Sequence, residues 1–174
     1  MDHINVKIFA TEGSVVNWPE LIPVFHRWIR DNEVPGTPID VADYAHVPNG
    51  PGILLIAHEA MFSVDNRAGR LGFLYNRRTP AEGDVTAKVR DAYDTAVSVA
   101  KKLEAEIRGV KFEPSRFEIF VNDRALAPNN EETDRVVRPA VEALCAGRVA
   151  GVVQIVAESA DPRTLYRLQV KPAA

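Results

Sequence analysis

The chain has 174 residues, of which 46% are hydrophobic and 26% are charged, as in an ordinary globular domain. A chain of this length buries enough apolar surface to fold without disulfides or metals, so we expect a single domain over residues 1–174. The net charge of −3 lacks the basic excess of nucleic-acid-binding domains and disfavours nucleic acid as a partner.

Cysteine content and apolar runs indicate where the protein works. Cys145 is the single cysteine, so no internal disulfide is expected, which suits a reducing compartment. Residues 1–5 lack the basic and apolar features of a signal peptide, and no apolar run approaches the length of a membrane span. We therefore expect a cytoplasmic protein without a membrane partner.

Strand and helix patterns alternate along the chain. Ile4, Val6 and Ile8 alternate with polar residues, which is typical of a strand with one buried face. Asp84 precedes a long apolar stripe rich in alanine and predicts the start of the longest helix. The predicted elements, in chain order, are a strand over 4–8, a helix over 21–29 preceded by a capping box at Asn17, strands over 39–46, 53–64 (bent near Ala60) and 70–77, a helix over 84–107, a strand over 117–121, a helix between Asn129 and Gly147, and strands over 152–157 and 165–170.

The two ends of the chain match in order and spacing. An offset of 112 residues carries Val24 onto Val136 and Trp28 onto Ala140, and strands flank both helices similarly. This predicts an α+β fold with duplicated β-α-β-β units, halves 4–59 and 117–170, joined by a hairpin strand and long helix over 70–108. The units are expected to form a mainly antiparallel sheet with helices packed on one face.

The predicted topology resembles the GyrI-like and SOUL haem-binding superfamilies, which are built from paired strand–helix–strand–strand modules. The resemblance is one of architecture and implies a small ligand in the groove between the halves. The segments Phe25-His26-Arg27-Trp28, 39–44 and 52–59 are also similar to a group of uncharacterised bacterial proteins. Neither resemblance assigns a cofactor or a binding residue.

Three acidic or basic residues are candidates for acid–base catalysis. His58 and Glu59 follow the apolar strand at 53–57, where a histidine beside a carboxylate can exchange protons. If the preceding turn centres on Asn49 and Gly50, position 58 lies opposite position 41, and Asp43 becomes a diagonal neighbour of His58. His46 then lies too far from His58 for a shared metal, so no metal site is expected.

Aromatic and basic residues supply candidates for ligand binding. An apolar groove between the halves is expected to be lined by Trp18, Trp28, Tyr44 or Tyr166. Arg27 offers a planar guanidinium to an anion. A second basic group surrounds one hairpin and would serve either as an anion-binding or partner-binding edge or as protection of a sheet edge; it comprises Arg67, Arg70, Arg77 and Arg78.

Three classes of function stay open. The first is a small-molecule-binding module with its ligand between the two halves. The second is a homodimeric accessory protein that associates through the alanine-rich helix or a strand edge. The third is an acid–base enzyme using Asp43 and His58. A buried structural role is expected for Cys145.

Overall fold

The computed structural model describes residues 1–173, which form one eight-stranded sheet and three α-helices. The elements, in chain order, are β1 (Ile4–Ala10), α1 (Trp18–Arg30), β2 (Pro38–Tyr44), β3 (Gly52–Ala57), β4 (Ala60–Asp65), β5 (Gly72–Arg77), α2 (Val85–Glu106), β6 (Phe112–Val121), α3 (Glu131–Arg148), β7 (Val153–Ala157) and β8 (Arg167–Pro172), with a short 3₁₀ turn at Arg67–Gly69 between β4 and β5.

The strands follow the order β2-β3-β4-β5-β1-β6-β8-β7, and every neighbouring pair is antiparallel. The long-range pairs β1–β5 and β1–β6 hold the middle of the sheet together, and β2 and β7 form its edges. The predicted class, an α+β fold with a mainly antiparallel sheet and helices on one face, is confirmed.

Helices α1, α2 and α3 pack against the same sheet face and share one hydrophobic core with it. The strand residues Ile4, Val6 and Ile8 point into this core, as their alternation predicts. Trp28 of α1 and Leu103 of α2 are among its fully buried side chains. No helix within residues 1–173 is long and apolar enough to cross a membrane.

Local signals explain where two of the helices begin. The Asp84 carboxylate accepts a hydrogen bond from the Ala87 amide at 2.8 Å, so the predicted cap of α2 is confirmed. In α3 the cap is Asn130, which accepts from the Thr133 amide at 3.0 Å, one residue after the predicted Asn129. Asn17 makes no capping bond, because its side-chain amide donates to Glu20 instead.

The predicted single strand over 53–64 is wrong, because residues 58 and 59 form a turn between β3 and β4. The polar pair His58 and Glu59 interrupts the apolar run and reverses the chain there. The resulting hairpin places β4 beside both β3 and β5.

The duplication of the two halves stays a prediction. The second half has the neighbour order β6-β8-β7, whereas in the first half β1 lies beside β5, not beside β3. By strand neighbours, the counterpart of β8 is therefore β5, and a duplicated unit in the first half would extend to Arg77. The central β1–β6 pair is the seam between the halves.

Candidate functional site

Polar side chains are buried on the sheet face opposite the helices. They are Asn5, Lys7, Ser63, Asp65 and Glu118, and each retains at most 3% of its accessible surface. They alternate along their strands with residues that point into the hydrophobic core. Burying charged groups is costly unless they are paired and hydrogen-bonded, so Lys7, Asp65 and Glu118 each require a partner of opposite charge.

Lys7 and Asp65 form an ion pair that reaches across an intervening strand. The Lys7 ammonium contacts the Asp65 carboxylate, and both side chains are 4% exposed. Lys7 lies on β1 and Asp65 on β4, with β5 between them. Gly72 of β5 pairs with Asp65, and a Cβ there would lie 2.6 Å from Lys7 Cε. Because Gly72 has no side chain, the space stays open through which Lys7 reaches Asp65.

A second group of charges surrounds Glu118 on β6 and is called the arginine–glutamate cluster: Arg70, Glu118, Glu158 and Arg167. Glu118 contacts Arg167 directly, and its Oε2 lies 3.3 Å from Arg70 Nη1. Glu158 contacts Arg70 and Arg167, each at 2.8 Å. Each arginine is thus shared between the same two carboxylates, which joins the loop before β5 to β6 and β8.

Burial and neighbouring charges act in opposite directions on these groups. Burial lowers the pKa of the Lys7 ammonium, and the adjacent Asp65 carboxylate works against that change. Burial raises the pKa of the Glu118 carboxyl, and Arg167, Arg70 and Lys7 oppose it. In both cases the pKa changes in the direction that burial favours.

A cavity of about 440 Å³ opens at the seam beside these charges and is called the seam pocket. Residues from β1, β6 and β8, from the loop after β1 and from the loop before β5 line it. Its lining residues are Phe9, Ala10, Thr11, Ser14, Gly69, Arg70, Leu71, Arg116, Gln169, Val170 and Lys171. Both halves of the chain contribute to its wall.

The lining of the seam pocket combines several kinds of polar side chain. Within the described chain, its lining includes hydroxyl, amide and cationic groups but no carboxylate, imidazole or thiol. The Thr11 and Ser14 hydroxyls lie 3.0 Å apart, and Ser14 is also hydrogen-bonded to the backbone of Lys111. The pocket therefore has a polar rim that is fixed by hydrogen bonds.

The expected register of the β2–β3 hairpin is wrong, and it does not bring Asp43 to His58. Val41 pairs with Leu55, and Asp43 pairs with Ile53 near the opposite end of β3. Position 58 lies five residues beyond position 53, or roughly 17 Å along the strand direction. The combination of Asp43 and His58 is therefore not assembled.

Asp43, His58 and Glu59 each have local contacts instead. Asp43 accepts a hydrogen bond from the Ala45 amide at 2.9 Å. Glu59 accepts from the Thr37 amide at 2.7 Å, which lowers the pKa of its carboxyl, and it lies 3.7 Å from the exposed His58 ring. The Glu59 contacts fix the turn between β3 and β4, whereas the Asp43 contact lies at the end of β2. None of the three residues lines any of the five cavities described for residues 1–173.

Trp28 and Arg27 tie α1 to α2. The Trp28 indole is fully buried in the core, and its Nε1 donates to Glu106 Oε1 at 2.8 Å. Arg27 forms an ion pair with the same carboxylate. Neither residue lines the seam pocket, so both lie away from the site described above.

Tyr44 and Tyr166 line two other cavities. Exposed Tyr44 lies with Trp18 beside a cavity of about 240 Å³ at the β2–β3 turn. Buried Tyr166 lines a cavity of about 520 Å³ at the start of α3, where its hydroxyl donates to Asp134 at 2.8 Å. Asp134 is also paired with Arg138 at 2.8 Å, so the charges of this larger cavity compensate one another.

The basic hairpin is not a sheet edge, so that expectation is wrong. Its strand β5 lies between β4 and β1. Arg77 and Arg78 donate to backbone carbonyls of Thr79 and Ala57, both at 2.9 Å. Arg70 alone among the four basic residues, which also include Arg67, lines the seam pocket.

Sequence reasoning missed Lys7, Glu118 and Arg116. Each sits at an alternate position of a strand, where a charged residue is normally solvent-facing. The one available signal is Gly72 within a strand, since a glycine there indicates a close approach by another group. What approaches it is Lys7, which the strand order determines and the local sequence does not.

Comparisons and metal geometry give no assignment. Among the described residues, no group of three or more histidine, cysteine, aspartate or glutamate side chains is arranged to hold a metal ion. A scan against protein-family models, a search of curated proteins and a search of solved structures each gave no match.

Proposed function

We propose that the protein is a small-molecule-binding module whose ligand occupies the seam pocket. The observation that carries this proposal is a ligand-sized cavity beside a buried ionic network at the seam. The volume of about 440 Å³ falls in the usual range for small-molecule sites, roughly 300–1,000 Å³. As in the GyrI-like and SOUL domains that the predicted topology resembles, the ligand would lie between two halves.

The buried network supports a functional role because stability alone does not call for it. Well-packed apolar residues in place of a buried ion pair are often neutral or stabilising. The pairs formed by Lys7 and Glu118 instead fix the side chains under and beside the pocket, including Arg70. A site held by such contacts is rigid before its ligand arrives, which reduces the entropy cost of binding.

A thermal-shift screen tests this proposal with a variant that fills the pocket. Gln169→Trp places a large side chain in the lining, and Lys101→Trp is its control at an exposed position of α2 outside the pocket. Ligands from a library of organic acids, sugars, nucleosides and neutral aromatics should raise the melting temperature of wild type and of the control. Stabilisation that is equal in Gln169→Trp, or no stabilisation by any compound, contradicts the proposal.

A homodimeric accessory protein is the second candidate function, and its interface would have to be a strand edge. The alanine stripe of α2 is buried within the chain, as Ala92, Ala96 and Ala100 show. Val152 and Val156, at and near edge strand β7, are 78% and 40% exposed, which favours a partner there.

Edge pairing at β7 has one obstacle. Arg138 already donates to the Ile155 carbonyl at 3.2 Å, so that acceptor is occupied. Light scattering on a concentrated sample decides the question, because a strict monomer contradicts the homodimer.

A further inference from the structure

The seam pocket combines a cationic side with an apolar side. Its charged lining within the described chain consists of Arg70, Arg116 and Lys171, with no carboxylate among them. Phe9 and Leu71 form part of the apolar side. A ligand with one negative group and one apolar body matches both sides.

The three cations are not equally available to a ligand. Arg70 is neutralised by Glu118 and Glu158 in the arginine–glutamate cluster. Arg116 and Lys171 are exposed, and neither has an ion pair with any carboxylate of residues 1–173. The uncompensated positive charge of the pocket is therefore concentrated on β6 and β8.

Arg116 and Lys171 also occupy corresponding positions on the neighbouring strands β6 and β8. Phe117–Val170 is the last pair at that end of the β6–β8 register, and Arg116 and Lys171 are the next residues beyond it on the two strands. Both side chains lie on the face away from the helices, since Phe117 and Val170 point into the core. Like charges at neighbouring positions of adjacent strands repel each other, and an anion between them removes the repulsion.

The apolar side lies next to this cationic pair. The Phe9 ring has its centroid 6.0 Å from the Arg116 guanidinium carbon and 5.3 Å from that of Arg70. Arginine stacks on flat π-systems as well as binding anions, so both contacts can be made by one planar ligand. Leu71, half-buried beside Arg70, extends the apolar surface.

We infer that the ligand of the seam pocket is a small organic anion, with a carboxylate or phosphate held by Arg116 and Lys171 and a flat apolar body against Phe9 and Leu71. This inference rests on the proposed function and specifies its ligand class. Glu118 and Glu158 already compensate the charge of Arg70, so the negative group is expected at Arg116 and Lys171.

Three naphthalene derivatives of similar size test the inference by fluorescence titration: naphthyl phosphate, naphthoate and the neutral naphthamide. At least one of the two anions should bind wild type roughly tenfold or more tightly than the amide, as expected for charge-assisted hydrogen bonds. The tighter of the two anions identifies the preferred negative group.

Charge-removing variants show where the anion binds. Arg116→Gln with Lys171→Gln should weaken anion binding by roughly tenfold or more and change amide binding by less than about twofold. The control, Lys101→Gln with Arg108→Gln, removes the same charge from exposed positions outside the pocket and should bind like wild type. Unchanged circular dichroism confirms that each variant is folded.

Each other outcome overturns the inference in a recognisable way. Equal affinity for the amide and the anions in the pocket leaves the proposed function standing but removes the anionic ligand. Equal weakening by the control variant assigns binding to overall charge, not to Arg116 and Lys171. No binding of any derivative overturns the inference, and the thermal-shift screen with Gln169→Trp then decides separately whether the pocket binds at all.

Discussion

Replacing Lys7 by methionine tests whether the ion pair with Asp65 is buried as the structure has it. The substitution keeps the length of the side chain and leaves the Asp65 carboxylate, at 4% exposure, without its cation. Removing one partner of a buried pair costs about 3–5 kcal/mol. A domain of this size loses about 2–4 °C per kcal/mol, so the melting temperature should fall by about 6–20 °C.

The double variant separates the ion pair from simple loss of packing. Asp65 also accepts the Arg67 amide at 3.0 Å, and an asparagine at that position keeps an oxygen for this bond. Lys7→Met with Asp65→Asn should therefore lie within about 1 kcal/mol of wild type, because no unpaired charge remains. Such recovery appears as a coupling energy in a double-mutant cycle.

Urea unfolding followed by circular dichroism measures these differences at constant m-value. Lys101→Met, an exposed lysine on α2, serves as the control and should match wild type. A Lys7→Met variant that loses less than about 1 kcal/mol would refute the reasoning, since that is the behaviour of a solvent-exposed ion pair.

Three further substitutions or reactions test neighbouring parts of the structure. Gly72→Ala should cost about 1–3 kcal/mol in urea unfolding, because its Cβ would lie 2.7 Å from the Ile8 carbonyl oxygen and 2.6 Å from Lys7 Cε. The control Gly147→Ala in α3, where a Cβ meets no neighbouring atom, should not destabilise the protein, and equal effects contradict this packing. Iodoacetamide at about pH 8 should modify Cys145 only in the unfolded chain, because burial raises the pKa of the thiol to about 11. Labelling of the native protein at the same rate as the unfolded chain contradicts this prediction. Wild type should lose stability relative to Glu118→Gln as the pH rises from 4.5 through the raised pKa of Glu118, because the native state binds the Glu118 proton more tightly than the unfolded state does. Urea midpoints of the two proteins that differ by a constant amount across this pH range contradict the prediction.

Much of the fold follows from local patterns in the sequence. The alternation of Ile4, Val6 and Ile8 and the stripe that follows Asp84 each correspond to an observed element, because burial of one face imposes its period on the sequence. The hairpin at His58 and Glu59 was missed, since two polar residues in an apolar run fit either a bend or a reversal. Pairing decides between these, and the pairing of β4 with β5 involves residues outside that run.

The candidate site was much less predictable than the fold. Lys7, Glu118 and Arg116 come together only because β1 lies between β5 and β6, an arrangement with no local signature. Aromatic and histidine residues drew the sequence-based interpretation to Trp28 and His58, which have structural contacts instead. Function-related chemistry built from ordinary strand positions becomes visible only when the strand order is known.

A nitrogen–proton correlation NMR titration of the labelled protein with naphthyl phosphate and naphthoate tests the central claim most directly, because it reports where a ligand binds. We predict that the amide resonances of Thr11, Gln169 and Lys171 shift in a saturable way with at least one of the two anions. Resonances of Gly50 and Asn130, which line the cavities of about 240 Å³ and 520 Å³, should stay unchanged. Saturable shifts at Gly50 or Asn130 with none around the seam pocket would contradict the account.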